Sequence, residues 1–139
     1  EDILLLGKEM SLYLLELFHK EQRKALEMND LDKVKSINMD VIPKFEKLIE
    51  VNYKPAENNY YLGDMLFKRK KYDQAIVHFK KSAMLNDKAS YMPTLLLNSA
   101  ISFENTKDKE NAKNFYSTLI ELYPNSQDAK TAKTNLNKL

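Results

Sequence analysis

The sequence predicts an all-α protein of about seven helices. Only two Gly and four Pro occur among its 139 residues, so residues that interrupt helices are scarce. Good helix formers such as Lys, Glu, Leu, Ala and Met are frequent. Apolar side chains recur mostly every three to four residues, which is the spacing of amphipathic helices. A chain of this length can bury one continuous core.

The charge balance and the composition exclude several classes of function. Lys and Arg number 22 and Asp and Glu number 20, and this net charge of +2 is too balanced to favour nucleic acid or an anionic membrane. Cysteine is absent, which excludes disulfides, thiol catalysis and cysteine metal sites. The apolar run at residues 3–6 is far shorter than the roughly 20 residues of a membrane span, so we expect no direct membrane insertion.

The first residue is Glu1 rather than Met, and its charge is wrong for a signal peptide. We therefore expect a fragment of a longer protein, and any targeting or anchoring signal would lie outside it.

Residues 1–55 predict two helices with a less regular pattern than the rest. Apolar side chains at helical spacing run through residues 3–28 and again through residues 31–52. Pro43 predicts a kink or a break near residues 40–42, because proline removes a backbone donor and clashes with the preceding turn. The first helix has a wide apolar face before Phe18, so one alternative function is self-association of two copies through this helix.

The remaining residues predict two similar helix pairs and a final helix. The first pair covers residues 56–69 and 72–85, and the second covers residues 91–105 and 109–122. Ala75 and Ala112 occupy equivalent positions 37 residues apart. Asp108 is the expected N-cap of the fourth of these helices, and a last helix is expected over residues 127–138.

The first pair carries the spacing of a known repeat. Leu62, Gly63, Tyr72, Ala75 and Phe79 match, without a gap, the pattern of a leucine–glycine pair followed by spaced alanine and aromatic residues. A second, weaker copy has the following matching residues: Ala100, Phe103, Ala112, Tyr116 and Pro124. The chain thus resembles a tetratricopeptide repeat (TPR) domain, in which small residues let paired helices approach closely.

This resemblance implies a right-handed solenoid of antiparallel helix pairs. It places one repeat at residues 56–89, a second at residues 90–124 and a C-terminal capping helix at residues 126–138. Residues 1–55 match only in outline. They are either a divergent helical pair or a degenerate repeat packed on the array.

The end of the second repeat is similar to one group of TPR proteins in particular. The turn Tyr123-Pro124-Asn125-Ser126 leads into a helix that carries Ala129 and Ala132. It resembles TPR domains of bacterial envelope proteins, such as the Tol-Pal-associated division coordinator and outer-membrane assembly lipoproteins. The implied setting is the bacterial cell envelope or periplasm.

In TPR domains the first helices of successive repeats line the concave surface, where peptides bind. The register assigns twelve residues of this chain to that surface, which we call the predicted concave face. They are Glu57, Tyr60, Asp64, Phe67, Lys68, Thr94, Leu97, Ile101, Glu104, Asn105, Thr131 and Asn135. Tyr60, Phe67, Leu97 and Ile101 are the expected anchors. The alternative is that residues 1–55 cover Tyr60 and Phe67 as ordinary core.

No constellation of residues predicts catalysis, a metal or a cofactor. His19 and His78 lie on different predicted helices without metal-ligand spacing, and no glycine-rich phosphate loop occurs. Tyr60 and Asp64 occupy the positions where some TPR domains clamp a terminal carboxylate with Lys and Asn, so that clamp is not expected. The run at residues 68–71 is interpreted as a solvated basic turn. The sequence therefore predicts a non-catalytic module that binds a protein or peptide partner.

Overall fold

The computed structural model describes Pro43, residues 46–48 and residues 54–139. Pro43 and residues 46–48 are helical, and residues 54–139 form five α-helices and no strand. We number them by position: α1 (Pro55–Lys68), α2 (Tyr72–Leu85), α3 (Met92–Asn105), α4 (Lys109–Leu122) and α5 (Gln127–Asn137). The helix expected over residues 3–28, self-association through it and the break expected near residues 40–42 lie outside the described residues. Of the helix expected over residues 31–52, only Pro43 and residues 46–48 are described.

Helices α1 to α5 begin and end within one residue of the predicted bounds. Local capping chemistry explains two of the starts. The Asp108 carboxylate accepts a hydrogen bond from the backbone N–H of Asn111 at 3.2 Å, which confirms the predicted cap of α4. Ser126 Oγ accepts from the backbone N–H of Ala129 at 3.0 Å and so caps α5. Pro55 and Pro93 lie in the first turns of α1 and α3, where proline costs no hydrogen bond.

Helices α1 and α2 form one antiparallel hairpin, and α3 and α4 form a second. Small residues let each pair approach closely, because Ala75, Ala100 and Ala112 are completely buried. At Gly63 an added Cβ would lie 2.7 Å from two ring atoms of Phe79. The hairpins stack through α2 and α3, and α5 packs on both α3 and α4. Leu48 belongs to the same core, so this residue, which precedes α1, also packs against the array.

The turns within the two hairpins have the same backbone conformation. Lys70 and Lys107 have φ values of 62° and 63°, in the left-handed region. In the first turn, the N–H of Lys71 donates to the carbonyl of Leu66 at 2.9 Å. The equivalent bond in the second turn joins the N–H of Asp108 to the carbonyl of Phe103 at 2.8 Å. The two hairpins therefore turn in the same way, with the same left-handed residue and the same backbone hydrogen bond.

Buried polar side chains connect helices within and between the hairpins. Asn59 on α1 and His78 on α2 share a hydrogen bond of 2.9 Å, and burial lowers the pKa of His78. Ser82 Oγ on α2 donates to the carbonyl of Ala56 at 2.7 Å and also contacts the Tyr91 hydroxyl at 2.9 Å. These bonds fix the relative positions of α1, α2 and the start of α3.

Candidate partner-binding site

The predicted concave face lies on α1, α3 and α5, as the register requires. Exposure differs from residue to residue along it. Lys68 and Asn105 are exposed, and nine of the other residues are partly exposed. Leu97 is only 8% exposed and belongs to the hydrophobic core. This expected anchor therefore offers a partner almost no surface.

Tyr60 lies in a cluster of aromatic rings where α1 meets α2 and α3. Its ring stacks on Tyr91 with the centroids 4.1 Å apart and the planes only 6° from parallel. The Tyr61 ring lies 5.5 Å away and the Phe79 ring 6.2 Å away. Burial raises the pKa of Tyr60 well above its ordinary range, and the nearby Asp64 carboxylate raises it further. The Tyr60 hydroxyl thus stays a neutral hydrogen-bonding group at all physiological pH values.

Phe67 lies two turns further along α1, near the turn that leads to α2. Its ring meets the edge of Tyr72 at 5.8 Å and lies 6.5 Å from Phe79. Asp64 lies between the two aromatic residues and forms a 3.0 Å salt bridge with Lys68. Both expected aromatic anchors on α1 therefore pack against Phe79, and both keep a partly exposed surface.

Polar residues of the predicted concave face join α3 to α5. The Thr94 hydroxyl donates to Asp128 at 3.1 Å. At the other end, the buried Tyr116 of α4 donates to Glu104 and accepts from Asn135 Nδ2 at 3.2 Å. Burial and the Glu104 carboxylate together raise the pKa of Tyr116. These hydrogen bonds position α5. They also engage the polar groups of Thr94, Glu104 and Asn135, which leaves fewer donors and acceptors for a partner.

Ile101, Asn105 and Thr131 complete the face. Asn105 Nδ2 donates to the carbonyl of Ile101 at 2.8 Å, and the Thr131 hydroxyl donates to the carbonyl of Gln127 at 3.4 Å. Each of these bonds stays within one helix, and Asn105 is exposed whereas Ile101 and Thr131 are partly exposed. Glu57, in the first turn of α1, is also partly exposed. Burial raises the pKa of the nearby Tyr61, and the Glu57 carboxylate raises it further.

Tyr91 and Asp128 contact residues of the predicted concave face, although the sequence analysis did not assign them to it. Asp128 is 34 residues after Thr94, which is the length of one repeat, so it occupies the same register position in the last helix. This spacing could have assigned Asp128 to the face from the sequence alone. Tyr91 precedes α3 in an irregular junction, and no periodic pattern places its ring on Tyr60.

The site carries no recognisable catalytic or metal-binding chemistry within the described part of the chain. The structure brings no three His, Cys, Asp or Glu residues together there as ligands for a metal ion. None of the helices in that part has the length and apolar composition that a bilayer span requires. What the face offers is a mixture of aromatic, aliphatic and polar groups, with Glu57, Asp64 and Lys68 among the latter.

Comparison with known proteins supports the repeat. A family model described as tetratricopeptide repeat matches residues 94–126. The chain carries a TPR repeat. The fold is similar to the Arabidopsis OM64 TPR domain, with a TM-score of 0.62, 16% identity and coverage of 88% of this chain and 93% of that one. It is also similar to the N-terminal domain of stress-induced protein-1 (STI-1) from C. elegans, with a TM-score of 0.57, 14% identity and coverage of 90% and 95%. No curated protein sequence matches the chain.

These matches establish an all-α, TPR-like helical solenoid, as predicted. TPR domains generally mediate protein–protein interactions. The matched structures are too distant in sequence to carry more than the fold. The bacterial envelope setting and the division into repeats at residues 56–89 and 90–124 remain predictions.

Proposed function

We propose that this protein is a non-catalytic interaction module that binds a peptide segment of a partner protein along the predicted concave face. The repeat and the solenoid fold support this proposal, because helical arrays of this type present a long surface formed by their first helices. The chain supplies that surface with α1, α3 and α5.

The observation that carries the proposal is a pair of partly exposed aromatic residues on one face of α1. Tyr60 and Phe67 are seven residues apart, which places them on the same side of the helix two turns from each other. Both rings are held by packing against Phe79, so a partner would meet rigid aromatic groups and lose little side-chain entropy on binding. Ile101 and Asn105 extend the surface onto α3.

The bacterial cell envelope is the setting we propose. Its support is the turn from Tyr123 to Ser126 that leads into an alanine-bearing helix. In the structure Ser126 caps that helix, and its residues Ala129 and Ala132 are completely buried.

The test is capture of partners from the native source with two matched double variants. Glu57→Lys/Asn105→Arg changes the predicted concave face, whereas Glu110→Lys/Asn114→Arg makes the same chemical changes on exposed positions of α4. We expect the first variant to capture at least about tenfold less partner, because two long cationic side chains placed in the contact surface would cost more than ~1.4 kcal/mol of binding free energy. The second should capture it like wild type.

Quantitative mass spectrometry of separate envelope and cytosolic fractions identifies both the partner and its compartment. Equal capture by the two double variants would rule out this face. A partner found only in the cytosolic fraction would rule out the envelope setting and leave the interaction itself intact.

A further inference from the structure

The predicted concave face is acidic, although the whole chain has a net charge of +2. Glu57, Asp64 and Glu104 lie on this face, and Asp128 contacts it. Lys68 is the only cation among the twelve residues that the register assigns to it. Helix α3 contains no lysine or arginine at all, whereas lysines are frequent in the hairpin turns and on α2 and α4. The charges are therefore segregated, with carboxylates on the surface that is proposed to bind a partner.

Three of these carboxylates lie around the aromatic cluster where α1 meets α3. Glu57 precedes Tyr60 by one turn of α1, and Asp64 follows it by one turn. Asp128 belongs to α5, and burial raises the pKa of Tyr60 most, with Asp64 and Asp128 both raising it further. Burial also raises the pKa of Tyr91, and Glu57 adds to this effect. Carboxylates from two helices are therefore close to the two stacked rings.

The fold neutralises little of this negative charge. Asp128 accepts a hydrogen bond from the Thr94 hydroxyl at 3.1 Å, and a carboxylate has about four acceptor positions. The structure pairs neither Glu57 nor Asp128 with a lysine or arginine among the described residues. Asp64 forms its 3.0 Å salt bridge with Lys68, whose side chain is 41% exposed, so water and salt weaken that pair. A cation from another molecule would therefore meet carboxylates that can still bind it.

Aromatic rings beside carboxylates favour a cationic side chain over an anionic or a neutral one. Cations are attracted to the faces of tyrosine rings, and a guanidinium can also bond a carboxylate through two N–H groups. The Tyr60 and Tyr91 rings both keep a partly exposed surface next to the carboxylates. A partner carboxylate at this place would be repelled by the same charges.

We propose that the peptide segment bound by the predicted concave face is basic, and that it places an arginine or lysine side chain beside Tyr60 and Tyr91. The carboxylates of Asp64 and Asp128 bind the charge of that side chain. Apolar residues of the same segment pack on Phe67, further along α1. This inference rests on the proposed function, because it names the chemistry of the segment that the face binds.

The first experiment determines which peptides the face prefers. The full chain is immobilised and selects from a library of random peptides, each displayed on its messenger RNA, at low ionic strength. Selected peptides are then added to the isotope-labelled protein, and NMR identifies those that shift the backbone amide signals of α1 and α3 more than those of α2 and α4. We expect these peptides to carry Arg or Lys at one aligned position several times more often than the starting library.

Matched carboxylate variants then locate the bound cation. Asp64→Asn/Asp128→Asn removes two charges beside Tyr60 but keeps the side-chain size and an oxygen acceptor, whereas Asp87→Asn/Glu121→Gln removes two charges at exposed positions away from the face. We expect the first variant to bind a selected peptide about tenfold more weakly than wild type and the second to change binding less than about twofold. Replacing the cationic residue of the peptide by glutamine should cost about tenfold on wild type and little on the first variant.

The possible failures of this inference and of the proposed function are distinguishable. If no selected peptide shifts the amides of α1 and α3, the proposed function fails, and this inference fails with it. If peptides bind the face without a preferred cation, or bind Asp64→Asn/Asp128→Asn as tightly as wild type, the proposed function stands and this inference is overturned. Equal weakening by both double variants would also overturn it, because net charge alone would then attract the peptides.

Discussion

At Gly63 the two helices of the first hairpin leave no room for a side chain. We expect Gly63→Ala to destabilise the protein by about 1–2 kcal/mol, although alanine is favoured over glycine in a helix by about 1 kcal/mol. The new methyl group would lie 2.7 Å from two atoms of the completely buried Phe79 ring, so the ring or one of the helices must shift. Chemical denaturation followed by circular dichroism measures the difference.

The Phe79 ring can be identified as the cause by a double-mutant cycle. In a Phe79→Leu background, Gly63→Ala should cost less than it does alone, because the ring atoms that meet the methyl group are gone. If Gly63→Ala were more stable than wild type, helix propensity would dominate, and the close approach would be unimportant.

At the same scale, the sequence predicted some site residues better than others. Gly63 and Ala75 were found because a fixed spacing demands small residues where helices cross. The burial of Leu97 was not found, since its register position is the same whether it faces a partner or the core. The stack of Tyr60 on Tyr91 depends on an irregular junction between two repeats, and no periodic pattern describes such a junction.

Among the elements, the turns within the hairpins depart most from ordinary residue preferences. Lys70→Gly should stabilise the protein by about 0.5–1 kcal/mol, because a residue with a side chain is strained at φ 62° and glycine is not. Arg69→Gly is the matched control. Its φ of −88° suits any residue, so glycine there only adds freedom to the unfolded chain and should lower stability. The free energy of unfolding in urea, measured for both variants, tests this prediction. If Lys70→Gly were less stable than wild type, the Lys70 side chain would contribute more stability than the backbone strain removes.

The bounds of helices α1 to α5 could be predicted to within one residue, because the signals that start and end a helix are local in sequence. Caps such as Asp108 act within three or four residues and can be recognised locally. The contacts between elements are different, because they combine residues far apart in sequence. The link from Glu104 through Tyr116 to Asn135 joins three helices, and only the structure reveals that these polar groups satisfy one another.

At the scale of the molecule, each of the five described helices contacts mainly its neighbours, so stability should be distributed over a series of interfaces. Ala132→Glu places a carboxylate at a completely buried position of α5 and should undock that helix. Tyr116 then loses its bond to Asn135 and Asp128 leaves Thr94, so α4 and α3 lose support directly. Helices α1 and α2 have no major interface with α5.

Hydrogen exchange resolved by helix can follow this loss along the array. In Ala132→Glu we expect backbone protection to fall most in α5, clearly in α4 and α3, and least in α1 and α2. Lys133→Glu, at the exposed neighbouring position, should leave all five helices as protected as in wild type. An equal loss of protection in every helix would mean that the described part unfolds as one unit. In that case the predicted concave face would form only when all five helices fold together. A graded loss of protection would mean instead that Tyr60 and Phe67 stay in place on α1 even when α5 has undocked.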